Sequence, residues 1–255
     1  RSYLTLALRG AHNKNKVLKI SDSMKAYNER MDKEMLEGGK PVIKYYDGVS
    51  MNAIWAVPSL GIDPATGREI YRKKDGRSTF TYDVNDMVIC GDNLPKLNGS
   101  FSINLGYKGL GFNMTCIYEL GAKMFNQTLI DRVENVDMHY NVDRRVLEGR
   151  WQNPGDVVRF RSLKSYWDPE TQTYPRDVQT KATSRFVQKK NELNISSINI
   201  SYDFYRYAFV KQIGLERLSL AFYMNDVAKL STIKTERGLA YPFARNYNFS
   251  LQMTF

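Results

Sequence analysis

Few groups in this sequence could do chemistry, and they form no familiar catalytic pattern. There are two histidines. His139 lies near Asp131, Asp137 and Asp143, a set that could be written as a metal cluster. Its spacing matches no established ligand motif, and a polar loop is the simpler account. Asp63 could be imagined as a calcium ligand, but it stands in an Asp-Pro turn, which explains it without an ion. Cys90 and Cys116 make no disulfide framework and are expected to be free. No nucleophile elbow, phosphate loop or dinucleotide fingerprint occurs. The sequence therefore points to no enzyme, no cofactor and no metal. The remaining candidates are the aromatics Trp55, Trp151, Tyr166 and Trp167, which could stack on sugar rings or pack inside loop cores. Packing is the preferred reading, since large aromatic side chains are usually core residues.

The net charge is +10. That raises nucleic acid as a partner, but the basic residues are scattered over connecting segments (Lys14, Lys16, Lys40, Lys44, Arg68, Arg72, Lys73, Lys74, Arg77, Arg144, Arg145, Arg150). No nucleic-acid-binding motif accompanies them, and solvated cationic loops account for the charge.

The elements that must position these residues are strands of an unusual kind. Tyr247, Phe249, Leu251, Met253 and Phe255 alternate with Asn248, Ser250, Gln252 and Thr254. Successive side chains of a strand point to opposite faces, so this segment has one apolar and one polar face. The pattern recurs at Leu4–Leu8, Phe101–Tyr107, Phe112–Leu120, Ile198–Phe204 and Leu218–Met224. No charge falls on the apolar side of these stretches, whereas Arg9, Glu119 and Asp203 lie on the polar side. A Lys or Arg facing lipid near the bilayer midplane costs roughly 2–4 kcal/mol, so the absence is informative. A strand of about 9–11 residues suffices to cross a bilayer at a tilt. Six transmembrane strands are expected, at about 2–12, 99–108, 111–121, 191–204, 215–225 and 245–255.

The connections sort accordingly. With Phe255 at the periplasmic rim, the short turns fall at Lys108–Gly111 and Tyr205–Gly214, and the long connections (13–98, 122–190, 226–244) all lie on the outer side. Bacterial barrels alternate short periplasmic turns with longer outer loops in this way. Tyr107, Tyr202, Phe204 and Phe255 gather at the lower rim, as an aromatic girdle would. Gly106, Gly109 and Gly111 are read as serving positive φ around a tight turn. Within the first long connection, 21–36 reads as a helix capped by Ser21 or Ser23. Arg68–Arg72 and Ser78–Tyr82 read as a hairpin joined through Asp75-Gly76.

The mean hydropathy of −0.48 argues against a membrane-spanning helix. It leaves room for a barrel, whose polar lumen and loops dilute the signal. Six strands cannot close on themselves when the smallest bacterial barrels have about eight. The expectation is therefore an all-β antiparallel membrane barrel of which this chain is the carboxy-terminal piece, with a plug domain and the first barrel strands lying elsewhere.

The connecting segments carry a resemblance. Tyr46-Asp47-Gly48, the run from Ala53 through Trp55 to Gly67, Gly91-Asp92-Asn93-Leu94-Pro95 onward to Phe101, Arg150-Trp151-Gln152-Asn153-Pro154-Gly155-Asp156 and Ser184-Arg185-Phe186-Val187 follow in order. Together they resemble the carboxy-terminal part of SusC/RagA-like TonB-dependent transporters of Bacteroidetes. Arg237–Pro242 departs from the family phrase at that point and keeps only Tyr241-Pro242. The resemblance implies a 22-stranded plugged barrel in the outer membrane, a SusD-like surface lipoprotein as lid, and TonB acting through the missing amino-terminal part. It also implies import of oligosaccharides or peptides, with outer-membrane lipid and the rest of the barrel as neighbours. Phe255 would then serve as the barrel-assembly signal. A passive porin-like or structural barrel and a soluble basic β-rich binding domain are the alternatives.

Overall fold

The computed structural model describes residues 2–38, 41–136, 141–163, 180–234 and 245–255. In chain order its elements are β1 (Ser2–Ala11), helix α1 (Asp22–Gly38), β2 (Ala53–Ala56), β3 (Ser59–Ile62), β4 (Glu69–Arg72), β5 (Ser78–Thr79), β6 (Val88–Asp92), β7 (Leu97–Tyr107) and β8 (Leu110–Phe125). Then come a one-turn helix α2 (Gln127–Leu129), β9 (Val187–Asp203), helix α3 (Ala208–Gln212), β10 (Arg217–Ser231) and β11 (Tyr247–Thr254). No described helix is long and apolar enough to cross a membrane. The chain divides into two compact units, one of residues 1–13, 95–122 and 190–255, the other of residues 14–94 and 123–189.

The first unit is organised by a six-stranded sheet in the order β1-β7-β8-β9-β10-β11. Its registers put apolar residues opposite apolar residues. Leu4, Leu6 and Leu8 face Leu105, Ile103 and Phe101, which in turn face Phe112, Met114 and Cys116. At the far side Ile198, Ile200 and Tyr202 face Met224, Phe222 and Leu220, which face Tyr247, Phe249 and Leu251. One-residue slips would exchange the two faces, so the alternation itself specifies these pairings. Most of this apolar face is open, with Leu8 76% and Phe249 75% exposed. Cys116 belongs to it but is covered by its neighbours (1% exposed).

Three of the alternating segments extend beyond their expected ends, to Phe125, back to Val187 and up to Ser231. The extensions are legible once paired. Between Asn225 and Ala228 strand β10 carries one residue more than β9, and Asp226 in this bulge has φ 47°. Beyond the bulge the parity of β10 is reversed. Ala228 and Leu230 stand opposite Ile195 and Leu193, and Lys229 stands opposite Asn194. There Glu192 binds Lys229 at 3.0 Å and Lys190 at 3.3 Å, and Lys190 reaches Glu119 at 3.0 Å.

Strands β7 and β8 are joined by Lys108 and Gly109 alone, both at positive φ (48° and 97°). This is the twisted two-residue hairpin turn favoured between antiparallel strands. Gly106 and Gly111, expected to share that backbone role, are instead regular strand residues and serve close approach. A Cβ on Gly106 would lie 2.3 Å from the Tyr3 ring. The other short connection contains α3, where the sequence predicts only a turn. All long connections leave from the opposite strand ends.

The second unit shows that the first two long connections fold together. Sheets β2-β6 and β3-β4-β5 lie within it. The hairpin joins Arg72 to Ser78 through Gly76, whose φ is 88°. Helix α1 begins where Ser21 Oγ accepts the Met24 N–H, and Asn28 fastens it by two hydrogen bonds to the Tyr45 backbone. One apolar cluster is Val57, Val84, Met87 and Ala182; another is Leu129, Ile130, Val133, Phe160 and Phe186.

Candidate functional site

Between these apolar clusters the second unit buries a set of charges from four segments. Glu69 starts β4, Glu134 ends the turn after α2, and Arg185 precedes β9. Arg185 Nη2 lies 2.9 Å from Glu69 Oε2 and 2.6 Å from Glu134 Oε1. Its Nη1 donates to the Arg159 carbonyl (2.8 Å), and its guanidinium covers the Phe186 ring at 4.4 Å. Thr183 Oγ1 donates to Glu69, and Arg161 approaches Glu134 at 3.7 Å. Burial works against the Arg185 charge, but Glu69 and then Glu134 outweigh it and hold the guanidinium more basic than usual. Arg150 donates to four backbone carbonyls, those of Val146, Arg161, Val133 and, at 3.5 Å, Glu134. Glu134 Oε2 has no hydrogen-bond partner among the described residues, but Oε1 is held by Arg185, and the group acts as a clasp.

The turn after β3 is a second clasp. Asp63 accepts from Thr66 Oγ1 at 2.6 Å and from the Ala65 N–H. The Thr66 hydroxyl is the chief reason its carboxyl lies below the usual range. No calcium is needed to explain this aspartate. Trp151 donates its indole N–H to the Pro64 carbonyl at 2.8 Å. Its ring covers Gly67 (φ 72°), where a Cβ would sit 2.6 Å from ring carbon. Trp151 is therefore a packing residue.

Trp55 is placed differently. It packs on the first apolar cluster and meets the Tyr46 ring at 5.0 Å, with Lys44 Nζ 5.9 Å from its ring centre. Its indole N–H is buried without an acceptor among the described residues. Two cavities adjoin it. One, of about 260 Å³, is lined by Val42, Met51, Ile54 and Phe125. The other, of about 490 Å³, is lined by Tyr46, Lys74, Met87 and the buried ion pair Lys44–Asp32. An aromatic wall, an apolar floor and unspent donors can hold a small polar ligand with a flat face.

Trp55 and Trp151 are thus not one site. Tyr166 and Trp167 lie outside the described residues, as do His139, Asp137 and the 237–242 phrase. Among the described residues no three His, Cys, Asp or Glu side chains stand close enough to hold a metal. Both cysteines are free. Burial raises the Cys90 thiol. The sequence reading missed the Glu69–Arg185–Glu134 clasp. Its one visible signal was that Arg185 sits within a family phrase.

No family model matches the chain. A TonB-dependent receptor of Formosa agariphila is 26% identical over 157 residues, which cover 60% of this chain and 14% of that receptor. The RagAB peptide importer in its open-open state matches 100% of this chain and 27% of its own with a TM-score of 0.69 and 13% identity. A further structure of the RagAB peptide transporter matches 74% of this chain and 20% of its own, with a TM-score of 0.58 and 16% identity. The chain spans between about a seventh and a quarter of the length of these proteins. In sequence it resembles TonB-dependent receptors, and in fold it resembles RagAB, as the loop phrases imply. These relatives are a receptor and transporters rather than enzymes.

Proposed function

We propose that this chain supplies wall strands and outer loops of a TonB-dependent importer of the SusC/RagA kind in the outer membrane. The observation that carries the proposal is the six-stranded sheet, which has one continuous apolar face and leaves an edge of β1 and an edge of β11 without partners among the described residues. An exposed sheet edge cannot persist in hydrocarbon, where each unsatisfied backbone group costs several kcal/mol. In this reading both edges pair with further strands of a closed barrel, of 22 strands by analogy with plugged outer-membrane transporters. The long connections form the outer surface, on which a SusD-like lipoprotein sits as a lid. The cargo is a peptide or an oligosaccharide, and RagAB, described as a peptide importer, favours the peptide. TonB would act through a plug domain in the amino-terminal part of the whole protein. Trp55, with Tyr46 and the neighbouring ammonium groups, is the preferred contact for a flat cargo group.

The deciding experiment measures uptake of labelled oligopeptides and oligosaccharides by cells carrying the whole transporter, with and without TonB and the partner lipoprotein. Energised import predicts loss of uptake in both deletions. Uptake that continues without TonB would identify a passive pore instead. A protein that remains soluble in buffer and does not float with lipid would overturn the barrel altogether.

A further inference from the structure

At the strand ends joined by short connections, aromatic rings and cations occur together in a way the barrel wall alone does not require. Tyr202, Phe204, Tyr207 and Phe209 form a ladder with ring centres 4.8–6.2 Å apart. Beside it Tyr205 is 53% exposed, and the Arg206 guanidinium lies 5.8 Å from its ring centre. The two-residue turn between β7 and β8 abuts the same ring. Gly109 accepts the Asp203 N–H at 2.9 Å, and a Cβ on Gly109 would lie 3.5 Å from Tyr205. That turn presents Lys108, whose ammonium stands 5.1 Å from the centre of the Tyr107 ring. The turn that carries Lys108 and the connection that carries Arg206 thus meet at Tyr205. The nearby carboxylate of Asp203 is already bound to Arg217 at 2.6 Å.

The other end of the same sheet is built on the contrary principle. Lys190 and Lys229 there are held by Glu119 and Glu192. Cations matched by carboxylates have little left for a ligand, whereas cations resting on tyrosine rings keep their hydrogen-bond donors. Tyrosine rings sit comfortably at headgroup depth, and a basic side chain near a membrane surface attracts anionic lipid by an amount equivalent to about fivefold in affinity.

We propose that Lys108, Arg206 and the Tyr205 hydroxyl form a binding site for the phosphate of an anionic phospholipid at this rim. The site goes beyond transport and rests on the barrel reading for its membrane setting. It fastens the sheet at a chosen depth by the two connections that are too short to move freely.

The test uses the whole protein reconstituted in phosphatidylcholine nanodiscs with increasing phosphatidylglycerol, with retained lipids counted by native mass spectrometry. The wild type is expected to retain phosphatidylglycerol preferentially. The Lys108→Asn, Arg206→Gln double variant should lose about tenfold or more of that preference. Asn suits the positive φ of position 108, so the turn should survive. Arg206→Lys should keep most of the preference, and Lys229→Gln at the other end should leave it unchanged. A wild type without preference, or a double variant that keeps it, overturns the phosphate site while leaving the barrel intact. Failure to enter even pure phosphatidylcholine discs overturns the membrane reading and this site with it.

Discussion

Arg185 shows how one side chain can hold several segments. Replacing it with Met would leave Glu69 and Glu134 buried beside an apolar chain, a loss of about 3–5 kcal/mol for a broken buried pair. Faster proteolytic cutting between residues 53 and 189, with the six-stranded sheet still protected, is the expected outcome. Trp151 and Trp55 should separate cleanly. Trp55→Ala is expected to raise the half-saturating cargo concentration about two- to tenfold, the range of a lost aromatic contact, at unchanged protein level. Trp151→Ala should instead reduce protease resistance, because it uncovers Gly67 and frees the Pro64 carbonyl. A third test concerns pH. The Asn153 and Gln152 N–H groups donate to Asp156 and hold its carboxyl below the ordinary value of 3.8. A depressed folded value means that the turn gains stability above the ordinary value and loses it as pH falls through the depressed one. Asp156→Asn should abolish that dependence in an amide-exchange titration of residues 152–156. Packing by Trp151 is what its residue type predicts, whereas the Arg185 clasp is not legible in the sequence. Partners more than a hundred positions apart, such as Glu69 and Arg185, leave no periodic trace.

Strands were far more legible, because alternation is local. The apolar residues of β7, β8, β10 and β11 could be placed on one face before any pairing was known, and the registers align them. The ends were less legible. An extension such as Val187–Glu192 carries no alternation of its own and becomes a strand only by pairing. Likewise α3 is short and aromatic, and nothing in its pattern distinguishes it from a turn. At this scale the two faces make opposite predictions. Leu220→Arg on the apolar face should cost roughly 2–4 kcal/mol and lower the yield of folded, heat-modifiable protein. Ser219→Arg, one residue earlier on the other face, should be tolerated. Gly99→Ala should uncouple β1 from β7, since its Cβ would fall 2.0 Å from the Arg9 carbonyl oxygen.

At the scale of the molecule, both long connections that had been read as separate loops contribute to one compact unit. Composition could not reveal this, since the contacts that join them, such as Glu69 to Arg185 and Val57 N–H to the Ala182 carbonyl, pair residues far apart in the chain. Removing Phe255, 82% exposed at the end of the last strand, should reduce the folded fraction in the outer membrane if it acts as the assembly signal. Urea-resistant, heat-modifiable protein in membrane fractions is the measure, and an undiminished yield would leave Phe255 as rim filler.

The extra residue in β10 gives the sheet a way to change medium without ending a strand. In the proposed barrel the ribbon shows one face to oil up to Met224. A single added position turns it half a step, so that Lys229 comes round to meet Glu192 on the side where Leu220 and Phe222 had been. The hydrogen-bonded ladder resumes while its exterior changes from grease to charge. Such a hinge of phase acts as a waterline cut into the wall. Deleting Asp226 should remove the bulge alone: position 227 would then stand opposite 196 and Leu230 would stay opposite Leu193, so the change of face should survive while the wall loses its local kink.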